Sequence, residues 1–160
     1  MHWMIMPFKR YFDFEGRSRR MEFWMFQLLN FAIAMILMFP FISSVFSGAM
    51  ADPVAYAADD SAAMAAAMSG IGTIGMAGLG LYGIYALVAL IPSIAVTVRR
   101  LHDRDMSGWW YLGLIVASLI PLVGFLASIA FLVLMFMPGT PGPNRFGEDP
   151  KGQSAAEVFE

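Results

Sequence analysis

The amino-acid sequence predicts an all-α integral membrane protein with three to four transmembrane segments. The composition is strongly apolar, because 59% of the 160 residues are hydrophobic and 14% are charged, whereas a soluble domain carries about 25% charged residues. The charges are also clustered, and residues 23–51, 61–98 and 106–144 contain none. Each stretch exceeds the ~20 apolar residues that a helix needs to cross a bilayer. Lipid requires the backbone to satisfy its own hydrogen bonds, so these stretches are predicted to be helices.

The first predicted span covers about residues 23–46 and follows a basic N-terminal segment, residues 1–22, with five Lys and Arg residues. The apolar region of a cleaved signal peptide is about 7–15 residues long, and this segment is much longer. An uncleaved span is therefore predicted. A polar loop, residues 47–69, separates it from the second span at about residues 78–96, which follows a stretch crowded with glycine.

The predicted orientation follows from Lys and Arg, which are in excess on the cytoplasmic side of a membrane. The N-terminal segment has five such residues, the loop 47–69 has none, and the loop 97–108 has three. The N-terminus and the loop 97–108 are therefore predicted to be cytoplasmic, and the loop 47–69 is predicted to be external.

The third apolar run, residues 109–137, allows two arrangements. As one helix its 29 residues would be ~44 Å long, which exceeds the ~30 Å of the bilayer core. Pro121 lies near its middle, and a proline kinks or ends a helix. The run is either one kinked span with an external tail, or two shorter helices that turn at Pro121–Gly124. The second arrangement returns the polar, turn-rich tail, residues 138–160, to the cytoplasm.

The densest group of charges is RRLHDRDMSGWW, which begins at Arg99. If the second helix continues through it, Arg99 and Asp103 are attractive neighbours four residues apart, while Arg100 and Arg104 repel each other. The second pair would then need another anion, such as a lipid phosphate, Glu22 or a carboxylate of the tail. Arginine suits a bidentate partner of this kind.

The same segment contains residue types that are used in catalysis and metal binding, but the pattern favours neither. His102 could act as a general acid or base with Asp103, yet no nucleophile motif accompanies them. A metal ion would meet a single histidine among three arginines, and metal sites depend on ligand number and geometry. The chain has no cysteine for a thiolate site. No catalytic residue, metal or cofactor is therefore predicted, and the protein is predicted not to be an enzyme.

Aromatic residues mark the predicted membrane interfaces. Trp109 and Trp110 open the third apolar run, and Trp24 lies at the start of the first span. Tryptophan is enriched at the level of the lipid head groups, so these three residues are predicted to be interfacial anchors.

Three polar motifs resemble those of a known family. They are GRSRRMEFW at residues 16–24, RRLHD followed by SGWW within residues 99–110, and PGTPGPNRFGEDP at residues 138–150. Together with the IPLVG turn, they are similar to the small bacterial inner-membrane proteins known as domain of unknown function 805. The resemblance covers about residues 11–150 and implies a multi-pass protein of the bacterial inner (plasma) membrane in which the three motifs belong together. They can meet only if the tail is cytoplasmic, so the resemblance favours the hairpin at Pro121–Gly124.

The main functional hypothesis is a cytoplasmic arginine-rich face that binds anionic lipid head groups or a protein partner. Its candidate residues are the charged and polar members of the three motifs: Arg17, Arg20, Glu22, Arg99, Arg100, His102, Asp103, Arg104, Asn144 and Arg145. The alternative is a subunit of a small transporter or channel, indicated by Gln27 and Asn30 on one face of the first span. Three or four spans are too few to enclose a pathway, so this alternative requires a homo-oligomer or a membrane protein partner. Neither hypothesis involves nucleic acid.

Overall fold

The computed structural model describes residues 2–51, 54, 59–69, 71–150 and 152. Within these residues the elements are helices and there is no strand, which confirms the predicted all-α class for this part of the chain. The described helices, in chain order, are α1 His2–Lys9, α2 Arg20–Ala51, α3 Asp60–Ser69, α4 Thr73–His102, α5 Trp109–Ser118 and α6 Pro121–Phe136.

Two helices, α2 and α4, are long and apolar enough to cross a membrane, judged by length and composition. Over 18 residues they reach a mean hydropathy of 2.1 and 2.0. Both run beyond the predicted spans, since α2 continues to Ala51 and α4 extends from Thr73 to His102. Glycine is frequent in transmembrane helices and arginine is a good helix former, so neither stops α4. The total of three to four spans stays a prediction.

The polar loop predicted at residues 47–69 is partly helical, because α2 occupies its first residues and α3 its last ones. Asp59 caps α3: its Oδ1 accepts hydrogen bonds from the Ser61 hydroxyl at 2.6 Å and from the Ala62 N–H at 2.7 Å. Alanine is the strongest helix former, and it is the commonest residue of α3. Most of residues 52–58 lies outside the described residues.

The third apolar run is divided into two helices. Because α5 ends at Ser118 and α6 begins at Pro121, Leu119 and Ile120 form the turn. This corrects the predicted turn at Pro121–Gly124, which instead forms the first turn of α6. Proline suits the start of a helix, because its missing N–H needs no partner there and its fixed φ matches a helix.

The chain forms two compact units. Unit 1 comprises Met1–Leu28 and Leu90–Glu160, and unit 2 comprises Leu29–Ala89. In unit 2 the Tyr85 hydroxyl donates a hydrogen bond to Asn30 Oδ1 over 2.5 Å, so the polar Asn30 joins α2 to α4 as expected at a contact between membrane helices. The apolar core of unit 1 draws on α2, α4 and α6, and its buried members are Phe23, Phe26, Val96, Leu101 and Met135.

Candidate functional site

Five charged side chains are buried together in unit 1, and we call them the ionic cluster. They come from the N-terminal segment, the first turn of α2 and the C-terminal end of α4, and no side chain among them is more than 7% exposed. Charged side chains are rarely buried unless they are paired. The members of the ionic cluster are Arg17, Glu22, Arg99, Arg100 and Asp103.

Asp103 bridges two of the arginines. Arg17 Nε donates a hydrogen bond to Asp103 Oδ1 over 3.0 Å, and Arg17 Nη2 lies 2.9 Å from the same oxygen. Arg100 Nη1 donates to the other oxygen, Oδ2. Both carboxylate oxygens are therefore occupied, and one negative charge is shared between two buried guanidinium groups.

Glu22 pairs with the third buried arginine. Arg99 Nη2 donates to Glu22 Oε1 over 2.9 Å, and Arg99 Nη1 donates to the backbone carbonyls of Asp13 and, at 3.4 Å, of Arg10. The Ser18 N–H donates in turn to the Arg99 carbonyl over 3.2 Å. These hydrogen bonds connect the N-terminal segment to the end of α4.

The observed ion pairs differ from those that the helical spacing predicted. The spacing predicted that Arg99 would pair with Asp103, and that Arg100 and Arg104 would need another anion, such as a lipid phosphate, Glu22 or a carboxylate of the tail. Instead Arg99 pairs with Glu22, and Arg100 pairs with Asp103. Arg100 and Asp103 are three residues apart, a spacing that also makes side chains neighbours on a helix, and Glu22 of α2 lies within reach of Arg99.

A Schellman motif ends α4. The Met106 N–H donates to the Leu101 carbonyl, and the Asp105 N–H donates to the His102 carbonyl, both over 3.0 Å. Asp105 has a φ of 57°, a left-handed conformation that aspartate tolerates better than most residues because its short side chain can bond locally. The motif ends the helix, and the Asp103 carbonyl at this end accepts a hydrogen bond from the tail.

The backbone of the tail contacts both members of the Arg17–Asp103 pair. The Thr140 N–H donates to the Asp103 carbonyl over 2.8 Å, and Arg17 donates to the carbonyls of Thr140 and Gly142, each over 2.6 Å. Gly139 lies so close to Asp103 that an added Cβ would overlap its carboxylate. A residue with a side chain therefore cannot occupy this position without displacing the carboxylate.

Two further arginines bind the start of the tail. Arg100 Nη2 donates to the Met137 carbonyl, and Arg104 Nη1 donates to the Pro138 carbonyl over 2.6 Å. The polar motifs around Arg17, Arg99 and the tail thus meet, as the family resemblance implied. Residues 151 and 153–160 of the predicted tail lie outside the described residues.

His102 lies beside the ionic cluster and stacks on the tail. Its ring is 3.9 Å from the Phe146 ring, with an interplanar angle of 4°, and its Nδ1 lies 3.3 Å from the Gly16 carbonyl. Its own carbonyl accepts the Asn144 side-chain N–H over 2.9 Å. The acid-base pairing considered for His102 and Asp103 has no counterpart in these contacts, because arginines occupy both carboxylate oxygens.

The remaining arginines are more exposed. Arg145 Nε lies 3.1 Å from Asp105 Oδ1 in a surface ion pair. Arg19 Nε donates to the Pro150 carbonyl over 2.8 Å, and Arg20 Nη1 donates to a carbonyl of α6 over 3.2 Å. Neither Arg19 nor Arg20 forms an ion pair with a residue that the structure describes.

A cavity of about 140 Å³ lies beside these two arginines. The two carboxylates in its wall have partners, since Asp103 is bound by arginines and Asp149 Oδ2 accepts the Gly142 N–H over 3.2 Å. Three arginines and two aspartates line the cavity, so its lining has a formal excess of one positive charge. Its lining consists of Arg17, Arg19, Arg20, Asp103, Gly139, Thr140, Pro141, Asp149 and Pro150.

Asp13, which precedes the ionic cluster in the chain, has a pKa below its ordinary value. Partial burial by itself raises this pKa. The hydrogen bond and the charge of Arg10, together with the Glu15 N–H and the charge of Arg99, lower the pKa by a larger amount. Arg10 Nε donates to Asp13 Oδ2 over 2.8 Å.

The predicted interfacial tryptophans have different surroundings. Trp109 and Trp110 are 77% and 59% exposed, as an anchor in the head-group region requires. Trp24 is partly buried and stacks on Phe136, with ring centroids 4.2 Å apart. Trp24 therefore contributes to the packing of α2 against α6, and its role as an anchor stays a prediction.

Sequence reasoning missed the backbone acceptors and the stacking partner in the tail. The carbonyls of Thr140 and Gly142 bind a buried arginine, and the Phe146 ring covers His102. Backbone acceptors leave no side-chain signature in a sequence. The one available signal was the excess of arginine over carboxylates in the motifs, because a buried guanidinium needs acceptors for its remaining N–H groups.

No group of three or more His, Cys, Asp or Glu side chains within the described residues could hold a metal ion. The guanidinium groups of this site bind carboxylates and backbone carbonyls.

The chain is similar to proteins of Escherichia coli (strain K12). Inner membrane protein YhaH is 36% identical over 151 residues, which cover 94% of this chain and 98% of that protein. Inner membrane protein YhaI is 32% identical over 160 residues, which cover 94% and 97%. Uncharacterized protein YiiR is 37% identical over a shorter stretch of 78 residues, or 38% of this chain and 53% of that protein. No solved structure matches the chain.

A family model described as "Protein of unknown function (DUF805)" matches residues 11–148. This range includes the first two polar motifs and nearly all of the third, so the family resemblance inferred from them is confirmed. The relatives that match along almost the whole chain are inner membrane proteins, which supports the same location here. The chain therefore belongs to the DUF805 family of membrane proteins.

Proposed function

We propose that this membrane protein is not an enzyme, and that its arginine-rich polar face binds anionic lipid head groups on the cytoplasmic side of the membrane. The observation that carries the proposal is the positive charge of Arg19 and Arg20. Both line the cavity of about 140 Å³, and neither forms an ion pair with a described residue.

The existing partners of these two arginines do not compensate their charge. Arg19 donates twice to the Pro150 carbonyl and lies 5.6 Å from the centroid of the Trp3 ring, and Arg20 donates to the Phe136 carbonyl. Carbonyls and aromatic rings are neutral, whereas a phosphate carries a full charge and matches the fork of a guanidinium group. A lipid phosphate would therefore be a stronger partner than any present.

The ionic cluster has a different role in this proposal. Arg17, Arg99 and Arg100 are buried and have internal carboxylate partners, so they join the three polar motifs and do not contact lipid. Among the residues predicted as binding candidates, Arg20 and Arg104 keep a guanidinium group without a described carboxylate partner. Arg19 joins them as an additional candidate.

The absence of enzymatic activity is proposed from the surroundings of the titratable groups. Asp103 has both oxygens occupied by arginines, and His102 contacts a backbone carbonyl and a phenyl ring. Neither residue faces a nucleophile in the described contacts. The alternative of a transporter or channel subunit has less support, because Asn30 is bonded to Tyr85 within unit 2.

Native mass spectrometry of the detergent-purified protein tests the proposal, with phosphatidylglycerol and phosphatidylcholine added in separate experiments. We expect preferential retention of phosphatidylglycerol, and we expect the variant Arg19→Ala/Arg20→Ala to lose it. A basic residue near anionic lipid contributes ~1 kcal/mol, so removal of both should weaken Kd roughly 30-fold.

The matched control is Lys9→Ala/Arg145→Ala, which removes the same charge away from the cavity and should keep most of the affinity. Equal retention of the two lipids by the unmodified protein would overturn the proposal. Equal loss in both double variants would show that binding depends on total charge and not on this cavity.

A further inference from the structure

The helices α5 and α6 are too short to be two membrane spans. α5 has 10 residues and α6 has 16, which at ~1.5 Å per residue correspond to ~15 Å and ~24 Å. The hydrocarbon core of a bilayer is ~30 Å thick. A turn at the end of α5 can therefore reach about half of this depth.

Both ends of the α5–α6 pair lie at the ionic cluster. α5 begins shortly after the Schellman motif that ends α4, and Gly108 just before it packs against Val98 of α4. After α6, the Met137 and Pro138 carbonyls are bound by arginines of the α4 terminus. The pair is antiparallel, since Tyr111 near the start of α5 lies beside Phe131 near the end of α6, with ring centroids 6.0 Å apart. The chain thus leaves the ionic cluster and returns to it.

Three backbone N–H groups at the turn between the helices donate to nearby carbonyls. The Leu119 and Ile120 N–H groups donate to carbonyls of the last turn of α5, each over 3.2 Å, and the Gly124 N–H donates to the Ile120 carbonyl over 2.6 Å. Pro121 has no N–H to satisfy. The Ser118 hydroxyl donates to the Ile115 carbonyl over 2.6 Å. Bonds of this kind favour placing the turn in the membrane, because an unpaired polar group in hydrocarbon costs roughly several kcal/mol.

The surface of this hairpin is apolar and unpaired. Residues 106–144 contain no charged residue, and at the turn Leu119 is 78% exposed and Leu122 is 75% exposed. At the other end of α5, the exposed Trp109 and Trp110 have the character of head-group anchors. Polarity therefore decreases along the hairpin from the ionic cluster to the turn.

We propose that α5 and α6 form a re-entrant hairpin that inserts into one leaflet of the membrane, with Leu119 and Ile120 surrounded by lipid acyl chains near the bilayer midplane. The ionic cluster anchors both ends of the hairpin at the head-group level of that leaflet. The surface that binds hydrocarbon is thus separate from the arginines proposed to bind head groups, and neither proposal depends on the other.

The absence of native cysteine allows a direct test with single-cysteine variants. A nitroxide at Leu119→Cys or Ile120→Cys, in protein reconstituted into bilayers, should be accessible to oxygen and inaccessible to a water-soluble nickel chelate. A nitroxide at Asp105→Cys should show the opposite preference. In intact cells, a membrane-impermeant thiol reagent should label Ser47→Cys, which lies on the predicted external side. The same reagent should not label Ile120→Cys.

Two results would overturn the inference. Labelling of Ile120→Cys from outside intact cells would show that the hairpin crosses the membrane. Nickel accessibility at Leu119 equal to that at Asp105 would show that the hairpin lies on the membrane surface. If either cysteine at the turn prevents folding, Leu122→Cys probes the same end of the hairpin.

Discussion

Arg17 and Asp103 form a buried ion pair between residues that are 86 positions apart in the chain, with Nη2 and Nε at 2.9 Å and 3.0 Å from Oδ1. The side chains are 1% and 7% exposed. The same arginine binds the carbonyls of Thr140 and Gly142. This one side chain therefore joins the N-terminal segment, the end of α4 and the tail.

Replacement of Asp103 by asparagine should destabilise the protein strongly. Arg17 and Arg100 would remain buried without the carboxylate that they share, and breaking a buried pair on one side costs about 3–5 kcal/mol. The free energy of unfolding in detergent, measured by denaturant titration, checks this. Asp105→Asn is the control, because it breaks a surface pair that contributes about 0–1 kcal/mol. Similar losses in the two variants would contradict the prediction.

Gly139→Ala should also destabilise unit 1. The added Cβ would overlap the Asp103 carboxylate, and a forced shift in a packed site costs about 1–3 kcal/mol. Thermal unfolding of the detergent-solubilised protein measures the effect. Gly113→Ala adds the same methyl group where nothing lies within 4 Å, so its Tm should stay the same or rise. An unchanged Tm for Gly139→Ala would mean that the tail does not pack on the carboxylate.

Arg99→Lys should be destabilising although it conserves the charge. Arg99 uses separate nitrogens for Glu22 and for the Asp13 carbonyl, and the single ammonium of lysine cannot reproduce this fork. Loss of one hydrogen bond to a charged group costs about 1.5–3 kcal/mol. Denaturant titration should show this loss, while the surface variant Arg145→Lys should unfold like the unmodified protein. A larger loss of stability in Arg145→Lys than in Arg99→Lys would contradict the prediction.

His102 is predicted to stabilise the protein through the packing of its ring. His102→Ala removes the ring that stacks on Phe146, and an aromatic pair contributes about 0.5–1.5 kcal/mol beyond its buried area. The Tm should therefore fall. His102→Phe keeps the stack and should restore most of the Tm. If His102→Phe is as unstable as His102→Ala, the ring nitrogen facing the Gly16 carbonyl contributes more than the stack.

The pKa of Asp13 should rise when Arg10 is replaced by alanine. The hydrogen bond and the charge of Arg10 are the largest of the contacts that lower this pKa. Because the folded-state pKa is depressed, the pair stabilises the protein at neutral pH, and this contribution is lost as the pH falls through that pKa. A carbon-13 NMR titration of the Asp13 carboxyl measures the shift. Lys9→Ala should leave the titration unchanged, and an unchanged midpoint in Arg10→Ala would contradict the prediction.

The helical class and the approximate positions of the apolar segments could be predicted from the sequence, because both depend on composition along short stretches. Helix ends were less predictable. α4 continues to His102 and then stops in a Schellman motif around Asp105, and nothing in the local sequence distinguishes this end from one a few residues away. The turn before Pro121 was misplaced for the same reason.

Hydrophobicity and charge are properties of the residues themselves, so the long charge-free stretches and the three charged motifs at their ends are evident from the amino-acid sequence. The partners of the buried arginines depend on the fold: Arg99 pairs with Glu22, Asp103 is shared by Arg17 and Arg100, and the tail completes the site with its carbonyls. Several carboxylates were available to each arginine, and electrostatic attraction alone does not choose among them. The choice came from where α4 ends and from the return of the chain after α6, which bring groups distant in sequence within hydrogen-bonding distance.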